Sequence, residues 1–446
     1  MQEQTLPAQP ANKTETPNAA SALETVLMSD APEKNIRVRC CIAGGGPAGM
    51  MLGFLLARAG VDVLVLEKHA DFLRDFRGDT IHPSTLEVMH ELGLLADFLK
   101  RPHQEARQLT GYVGDIEVRV ADFTHLPTRC RFIALMPQWD FLNFIAERGR
   151  CYPTFHLRMQ AQITGLIEDG GRISGVSAAT PEGSLEIHAD LIVGADGRHS
   201  TVREAAGLRI KDLGAPIDVL WMRLARRPGD PSQPLGRFNR GKVFVMLDRG
   251  DYWQCAYVIP KGGIEEIRRR GLAAFRDDIA AIAPFMKDRV HELTDWNDIK
   301  LLTVAVDRLE KWYRPGLLCL GDAAHAMSPI GGVGINLAIQ DAVAAANVLA
   351  VPLREGTATT RHLRKVQRRR EFPTRLTQRL QVLVQDRVIS RVLASQNQLT
   401  LPGPLKLVRW FPFLGRIPAR LVGIGFRPEH VRTPDVFATR ISSQDP

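Results

Sequence analysis

At 446 residues the chain is longer than one hydrophobic core usually serves, so two domains with tails are expected. Its apolar content of 45% and charged content of 24% are those of a globular protein, and no run reaches the roughly 18 to 20 uncharged apolar residues that a membrane-crossing helix requires. The net charge of +9 is uneven: residues 351–446 carry 18 Lys and Arg against 6 Asp and Glu, and the basic run Arg361–Arg370 reads as a solvated helix face rather than a nucleic-acid surface.

Residues 1–35, rich in Ala, Pro, Thr, Glu and Gln, have neither the basic start nor the apolar stretch of a secretory signal, and are expected to form a disordered tail. The six cysteines include no CxxC pair, and Cys40, Cys41 and Cys319 fall in apolar strand-like runs; reduced, buried thiols in a cytoplasmic protein are expected. No two histidines stand at zinc-site spacing, so no metal is expected.

The strongest signal follows at once. Val38–Ala43 is a short apolar run of the kind buried on both faces of a parallel sheet. Gly44, Gly46 and Gly49 then stand in the G-x-G-x-x-G spacing, which allows a tight turn, a close approach of backbone to a pyrophosphate, and close helix packing. Pro47 and Ala48 lie inside this turn, Met50–Arg58 continues as a helix, and Gly60 suits its C-terminus. Val61–Leu66 supplies a second strand, after which Glu67, followed by Lys68, is placed to accept from a ribose hydroxyl.

Arg77 lies in the next loop, and a capping box at Ser84 and Glu87 starts a helix. Residues 105–133 alternate as antiparallel strands, and a helix opens near Gln138 after a proline. Strands at about 155–178 and 184–188 precede a separate apolar strand from Ala189, which ends at Asp196-Gly197. From about 210 to 301, strands at 217–226, 242–248 and 252–259 and a helix over Gly263–Arg289 predict an inserted sheet domain. A last buried strand then runs into Gly321-Asp322 and a second glycine-rich turn, Pro329 to Asn336, which offers backbone N–H groups and a helix N-terminus to an anion.

The predicted fold class is therefore α/β: a Rossmann-like domain of residues 36–104, 134–208 and 302–395, an inserted antiparallel-sheet domain of 105–133 and 209–301, and a helical, basic and apolar extension at 396–446. Three strands ending in Gly44-x-Gly46-x-x-Gly49, Asp196-Gly197 and Gly321-Asp322, with an inserted sheet, resemble the single-component FAD-dependent aromatic hydroxylases, the family of para-hydroxybenzoate hydroxylase. The resemblance implies a glutathione-reductase-like fold, non-covalent FAD, NADH or NADPH as reductant, O2 as co-substrate, and hydroxylation of an aromatic or quinone-like small molecule through a flavin C4a-hydroperoxide. It implies that the first turn and Glu67 hold the adenosine half, that Asp196-Gly197 serves FAD and NAD(P)H, and that Arg77 touches the flavin. It also implies that Gln138 and Asp322 meet the ribityl chain. Pro329, Gly331, Gly332, Val333, Gly334, Ile335 and Asn336 would face the flavin ring, where a helix dipole stabilises negative charge.

The tyrosine pair with which some members deprotonate a phenol has no match, leaving Trp221, Arg223, Trp253 and Tyr257 of the inserted sheet as candidate substrate residues. Competing readings are a prenyl or alkene reductase, a flavin halogenase, whose W-x-W-x-I-P here reads Cys255-Ala-Tyr257-Val-Ile259-Pro260, and a binding protein without redox chemistry, like the GDP-dissociation inhibitors that bind lipidated GTPases. The segment Trp410–Phe426 reads as packing over the first domain or as contact with a membrane surface.

Overall fold

Parallel pairing of short β-branched runs builds the first sheet of the computed structural model, which describes residues 35–73, 80–231, 235–395, 397 and 399–438. Asn35–Ala43 lies between Val63–Leu66 and Gly183–Gly194, and the sheet continues to Phe155–Arg158 on one side and Leu317–Cys319 on the other, all parallel. Parallel strands need cover on both faces. Helix Pro47–Arg58, almost wholly buried, packs on Gly334–Arg354 and Gln138–Gly149 and shares one core with the strands. From Asn35 onward the chain forms one compact unit.

Several boundaries differ from expectation for local reasons. The strand expected from Ala189 and the one expected at 184–188 are a single strand, Gly183–Gly194, whose first half also pairs antiparallel with Arg172–Thr180. No capping box forms at Ser84: His82 is the N-cap, Pro83 takes the first helical position, and Glu87 instead accepts from Arg129 N at 3.0 Å. The helix expected over Gly263–Arg289 spans Ile264–Ile282, bends at Gly271, and gives way to a short turn at Pro284–Met286.

The second sheet has seven strands in the order Lys300–Leu302, Ile217–Ala225, Tyr252–Pro260, Lys242–Asp248, Leu235–Asn239, Gln108–Val113 and Ile116–Asp122. All its pairings are antiparallel except that of Leu235–Asn239 with Gln108–Val113. Because side chains alternate, its two faces have different fates. Leu220, Met222, Trp253, Cys255 and Tyr257 pack under helix Ile264–Ile282. Val219, Trp221, Val243, Ala256 and Val258 form the other face and pack with Ile330 and Ile389.

Helix Thr360–Val384 exposes Arg361, Arg364, Lys365 and Arg368, as the reading of 361–370 as a solvated face expects, while Arg370 is buried. The helix's buried stripe is Leu363, Val366, Gln367, Arg370, Pro373, Thr374, Gln378 and Gln381, mostly polar. Ile330–Arg354 is, among the described residues, the one helix long and apolar enough to cross a membrane, but 72% of its apolar window is buried in the protein. The sequence shows no uncharged run there because Asp341 interrupts it. All six cysteines are free, and all but Cys151 are buried; burial pushes the Cys41 thiol up to about 12.

Candidate active site

The sheet brings three of the predicted turns side by side. Gly44 N donates to Leu66 O at 2.8 Å, Ala195 N to Ala43 O at 2.8 Å, and Leu320 N to Gly194 O at 2.9 Å, so the chain leaves four neighbouring parallel strands at one edge. This is where open α/β sheets hold ligands. Gly44 has φ +101°, and a methyl group on it would fall 2.5 Å from Ala195 O. A methyl on Gly49 would fall 2.0 Å from Gly44 O, so the turn and the helix start are each closed to any larger residue. Gly46, by contrast, faces open space within 4 Å. A tight first glycine, an open second and a packed third, at the start of Pro47–Arg58, fit a dinucleotide pyrophosphate.

Around this cradle the acids divide into ties and exposed groups. Glu67 is buried; its Oε2 accepts from Gly45 N at 2.9 Å and its Oε1 from His69 N at 3.1 Å, so it pins the glycine turn to the second strand. Lys68 beside it is exposed. Asp196 accepts from Ser200 Oγ and from Val202 N at 3.1 Å, so it braces the start of helix Thr201–Ala205 beside the N-cap Ser200, whose Oγ accepts from Arg203 N at 2.9 Å, while Gly197 at φ +87° has open space around it. Asp322 keeps a side chain 37% exposed, with Arg198 3.9 Å away. Gly321 packs between Ala48 and Ala338, joining this turn to both helices. Arg203, whose role the sequence did not reveal, is buried and donates to Ala323 O at 3.2 Å and Arg198 O at 2.6 Å, locking the Asp196 turn to the Asp322 turn.

The second glycine turn is held from two directions. Ile330–Gly332 is one tight turn in which Gly331 and Gly332 have positive φ, and helix Gly334–Arg354 starts directly after Val333. Thr80 Oγ1 donates to Gly332 O at 3.0 Å. Asn336, expected among the flavin-facing residues, is buried and turned inward: Oδ1 accepts from His82 N and Thr85 Oγ1, both at 2.8 Å, and Nδ2 donates to Thr80 O at 3.1 Å. Ile335 is likewise buried in the sheet core. From the other side, Gln378 Nε2 donates to Ala326 O at 3.0 Å, Gln381 Nε2 to Ser328 O and Ile330 O at 2.9 Å each, and Gln385 Nε2 to Ser328 Oγ at 3.1 Å. Pro329 lies within the span these glutamines clasp.

Beneath the turn sits a buried ionic cluster. Asp341 accepts from His325 Nε2 at 2.6 Å, Arg370 Nε at 2.8 Å and Gly321 N at 3.3 Å. Burial pushes its carboxyl up, but His325 and Arg370 outweigh burial and hold it below the usual range. His82 shows the opposite balance. Burial lowers its ring to about 4, and since a carbonyl only accepts, its Nδ1 carries the proton given to Val422 O at 2.8 Å.

The four candidate substrate residues separate. Trp221 and Arg223 stand on the sheet face that meets Ile330, with Arg223 over the Tyr252 ring at 4.8 Å. Trp253 and Tyr257 do not join them. Trp253 is fully buried, donates to Asp230 Oδ2 at 2.9 Å and packs on Phe285, while Tyr257 sits between Phe244 and Phe275 under the helix, where burial raises its hydroxyl. Both are core residues on the opposite face. Gln138 opens helix Gln138–Gly149, just past the strand Ile133–Leu135 that pairs with Thr80–Ile81. Arg77 lies outside the described residues.

A parallel sheet with convergent turns and an appended sheet defines a flavin-binding enzyme of the aromatic-hydroxylase kind. The chain belongs to the FAD binding domain family, whose model matches residues 37–380. It is 34% identical over 354 residues to 6-methylpretetramide 4-monooxygenase of Streptomyces rimosus, covering 79% of this chain and 84% of that protein. To rifampicin monooxygenase of Streptomyces venezuelae it is 29% identical, covering 68% of this chain and 61% of that one. The crystal structure of p-nitrophenol 4-monooxygenase from Pseudomonas putida DLL-E4 superimposes with TM-score 0.68 at 20% identity, over 86% of this chain and 98% of that. The protein is an FAD-dependent monooxygenase.

Proposed function

We propose that the protein hydroxylates an aromatic or quinone-like ring, with NADH or NADPH reducing its FAD directly and O2 supplying the oxygen, in the cytoplasm, where reductant is at hand. The observation that carries this reading is the set of adjoining strand-end turns with room opposite Gly46. Bound there, FAD would supply hydride acceptance and oxygen activation. The chain's own part is to bind and to exclude water. The Gly44–Gly49 turn and the first helix N-terminus would hold the pyrophosphate, and Asp322 the ribityl chain. The turn from Pro329 to Gly334, at the start of a helix of 21 residues, would set a positive dipole end against the ring. Gly332, Val333 and Gly334 contribute backbone there.

The face of the second sheet bearing Trp221 and Arg223 would close the site opposite Ile330, keeping water from the reacting atoms. The names of the relatives support a ring-containing substrate, and the cation of Arg223 favours one bearing an oxygen. Anaerobic mixing with each nucleotide, with a panel of phenols, quinolones and quinols present, tests the reductant by bleaching of the flavin. Turnover of the best compound under labelled O2 tests the reaction: one labelled oxygen in the product is expected. Label recovered only as peroxide would make the protein an oxidase, and turnover without oxygen would make it a reductase.

A further inference from the structure

The C-terminal hairpin carries a surface for which the site has no use. Helix Gly403–Trp410, the turn Pro412–Gly415 and helix Arg416–Gly423 pack inward on strand Ile116–Asp122 and on Phe123 and Leu126, through Gly415, Ala419 and Gly423. The outward side is apolar and open. Trp410 is 74% exposed, Phe413 and Ile417 are 59% exposed, and Leu407 and Phe411 are nearly half exposed. Single exposed apolar residues are ordinary, but five within eleven positions make a patch.

Its charge is one-sided. Residues 403–427 contain Lys406, Arg409, Arg416, Arg420 and Arg427, all exposed, and no Asp or Glu. Protein interfaces fix orientation with charges of both signs. A Trp, Phe and Ile face on a segment whose only charges are cations matches instead a surface of uniform negative charge with an apolar interior.

The inner side of the same hairpin borders the candidate site. Val422 O holds His82 Nδ1, and a methyl group on Gly331 would meet Val422 Cγ2 at 3.8 Å. We propose that the hairpin 403–423 docks the enzyme on an anionic membrane surface, with Trp410, Phe413 and Ile417 in the headgroup boundary. The docking stands apart from the flavin chemistry; its consequence, entry of an apolar ring substrate from the lipid side past Val422, rests on the proposed function.

Co-sedimentation of the full-length protein with phosphatidylcholine vesicles, with and without about a third phosphatidylserine, tests it without turnover. Retention on the anionic vesicles alone, lost in high salt, is expected. Each cation near such a surface is worth about fivefold in partitioning, so reversing two charges in Arg409→Glu with Arg416→Glu should cost at least about 25-fold. A second variant, Phe413→Asp with Ile417→Ser, should lose retention as well, while both keep wild-type flavin content and circular dichroism. No retention of the wild type, or retention of both variants at its level, overturns the proposal. So does a dimer in solution that the Phe413 variant abolishes while vesicles bind nothing, which would assign the patch to a second copy of the chain.

Discussion

Replacing Asn336 by alanine separates two roles that a flavin-facing asparagine could have. The side chain makes two 2.8 Å bonds, from His82 N and Thr85 Oγ1, and two longer ones, to Thr80 O at 3.1 Å and Gly332 O at 3.3 Å. His82 and Thr85 are fully buried, so water does not readily replace the lost partner. At about 1 kcal/mol for each short bond and about 0.5 for each long one, the loss is about 3 kcal/mol, a large part of a typical native stability. The apoprotein should therefore unfold at a clearly lower denaturant concentration. FAD affinity should fall with it, because the turn at Gly332 is then tied to Thr80 by the Thr80 Oγ1 bond alone. A side chain whose business was with the flavin would leave the apoprotein unchanged and weaken only FAD. Apoprotein stability within about 0.5 kcal/mol of wild type, the range of an ordinary surface substitution, would refute the tie.

Asp322→Ala should weaken FAD about 10- to 150-fold in a titration of apoprotein, the worth of a charge-assisted hydrogen bond of about 1.5 to 3 kcal/mol; an unchanged affinity removes Asp322 from the flavin site. Asp341→Asn leaves Arg370 and His325 buried without their carboxylate and should cost about 3 to 5 kcal/mol in unfolding free energy, with a loss below about 1 kcal/mol contradicting the network. The depressed ring of His82 predicts a pH effect: the unfolded chain takes up a proton near 6.5 and the folded chain only near 4, so this contribution is whole above 6.5 and lost as pH falls through 4. The span corresponds to at most about 3 kcal/mol, and the difference in unfolding free energy between pH 7 and pH 4.5 should shrink in His82→Gln.

What could be read from the chain alone followed the kind of signal each element carries. The inserted strands at 217–226, 242–248 and 252–259 appear as Ile217–Ala225, Lys242–Asp248 and Tyr252–Pro260, because alternation and turn residues are local. Which face of those strands meets the site is not local. Trp221 and Trp253 look alike in sequence, and only the helix Ile264–Ile282 lying on one side separates them. The inner face of the long helix after Thr359 is hidden in the sequence for another reason. Beyond Leu363 and Val366 its buried stripe is mostly of glutamines and Arg370, so hydrophobic periodicity has little to detect, and the spacing Gln367, Gln378, Gln381, Gln385 means something only beside the carbonyls and the Ser328 hydroxyl it serves.

The same contrast explains why the motif residues are so often ties. The sequence reading assigned Glu67, Asp196 and Asn336 to the cofactor, as polar residues beside glycine turns invite. In the fold Glu67 accepts from Gly45 N, Asp196 accepts from Ser200 Oγ and Val202 N at the start of the next helix, and Asn336 clasps the segment Thr80–Thr85. A dinucleotide offers anionic oxygens at its central pyrophosphate and ring edges at its two ends, and backbone N–H groups in turns of fixed shape meet both without adding a charge to be desolvated. The polar side chains are then needed to keep those turns from relaxing, since a glycine turn has more freedom to lose than any other. On this logic the residues that choose the substrate are sought not among the motif positions but on the side chains the motifs leave alone: Trp221, which packs in one cluster with Ile330, Arg223 on the same sheet face, and Val422 of the hairpin beside Gly331, all near the turn proposed to face the flavin ring.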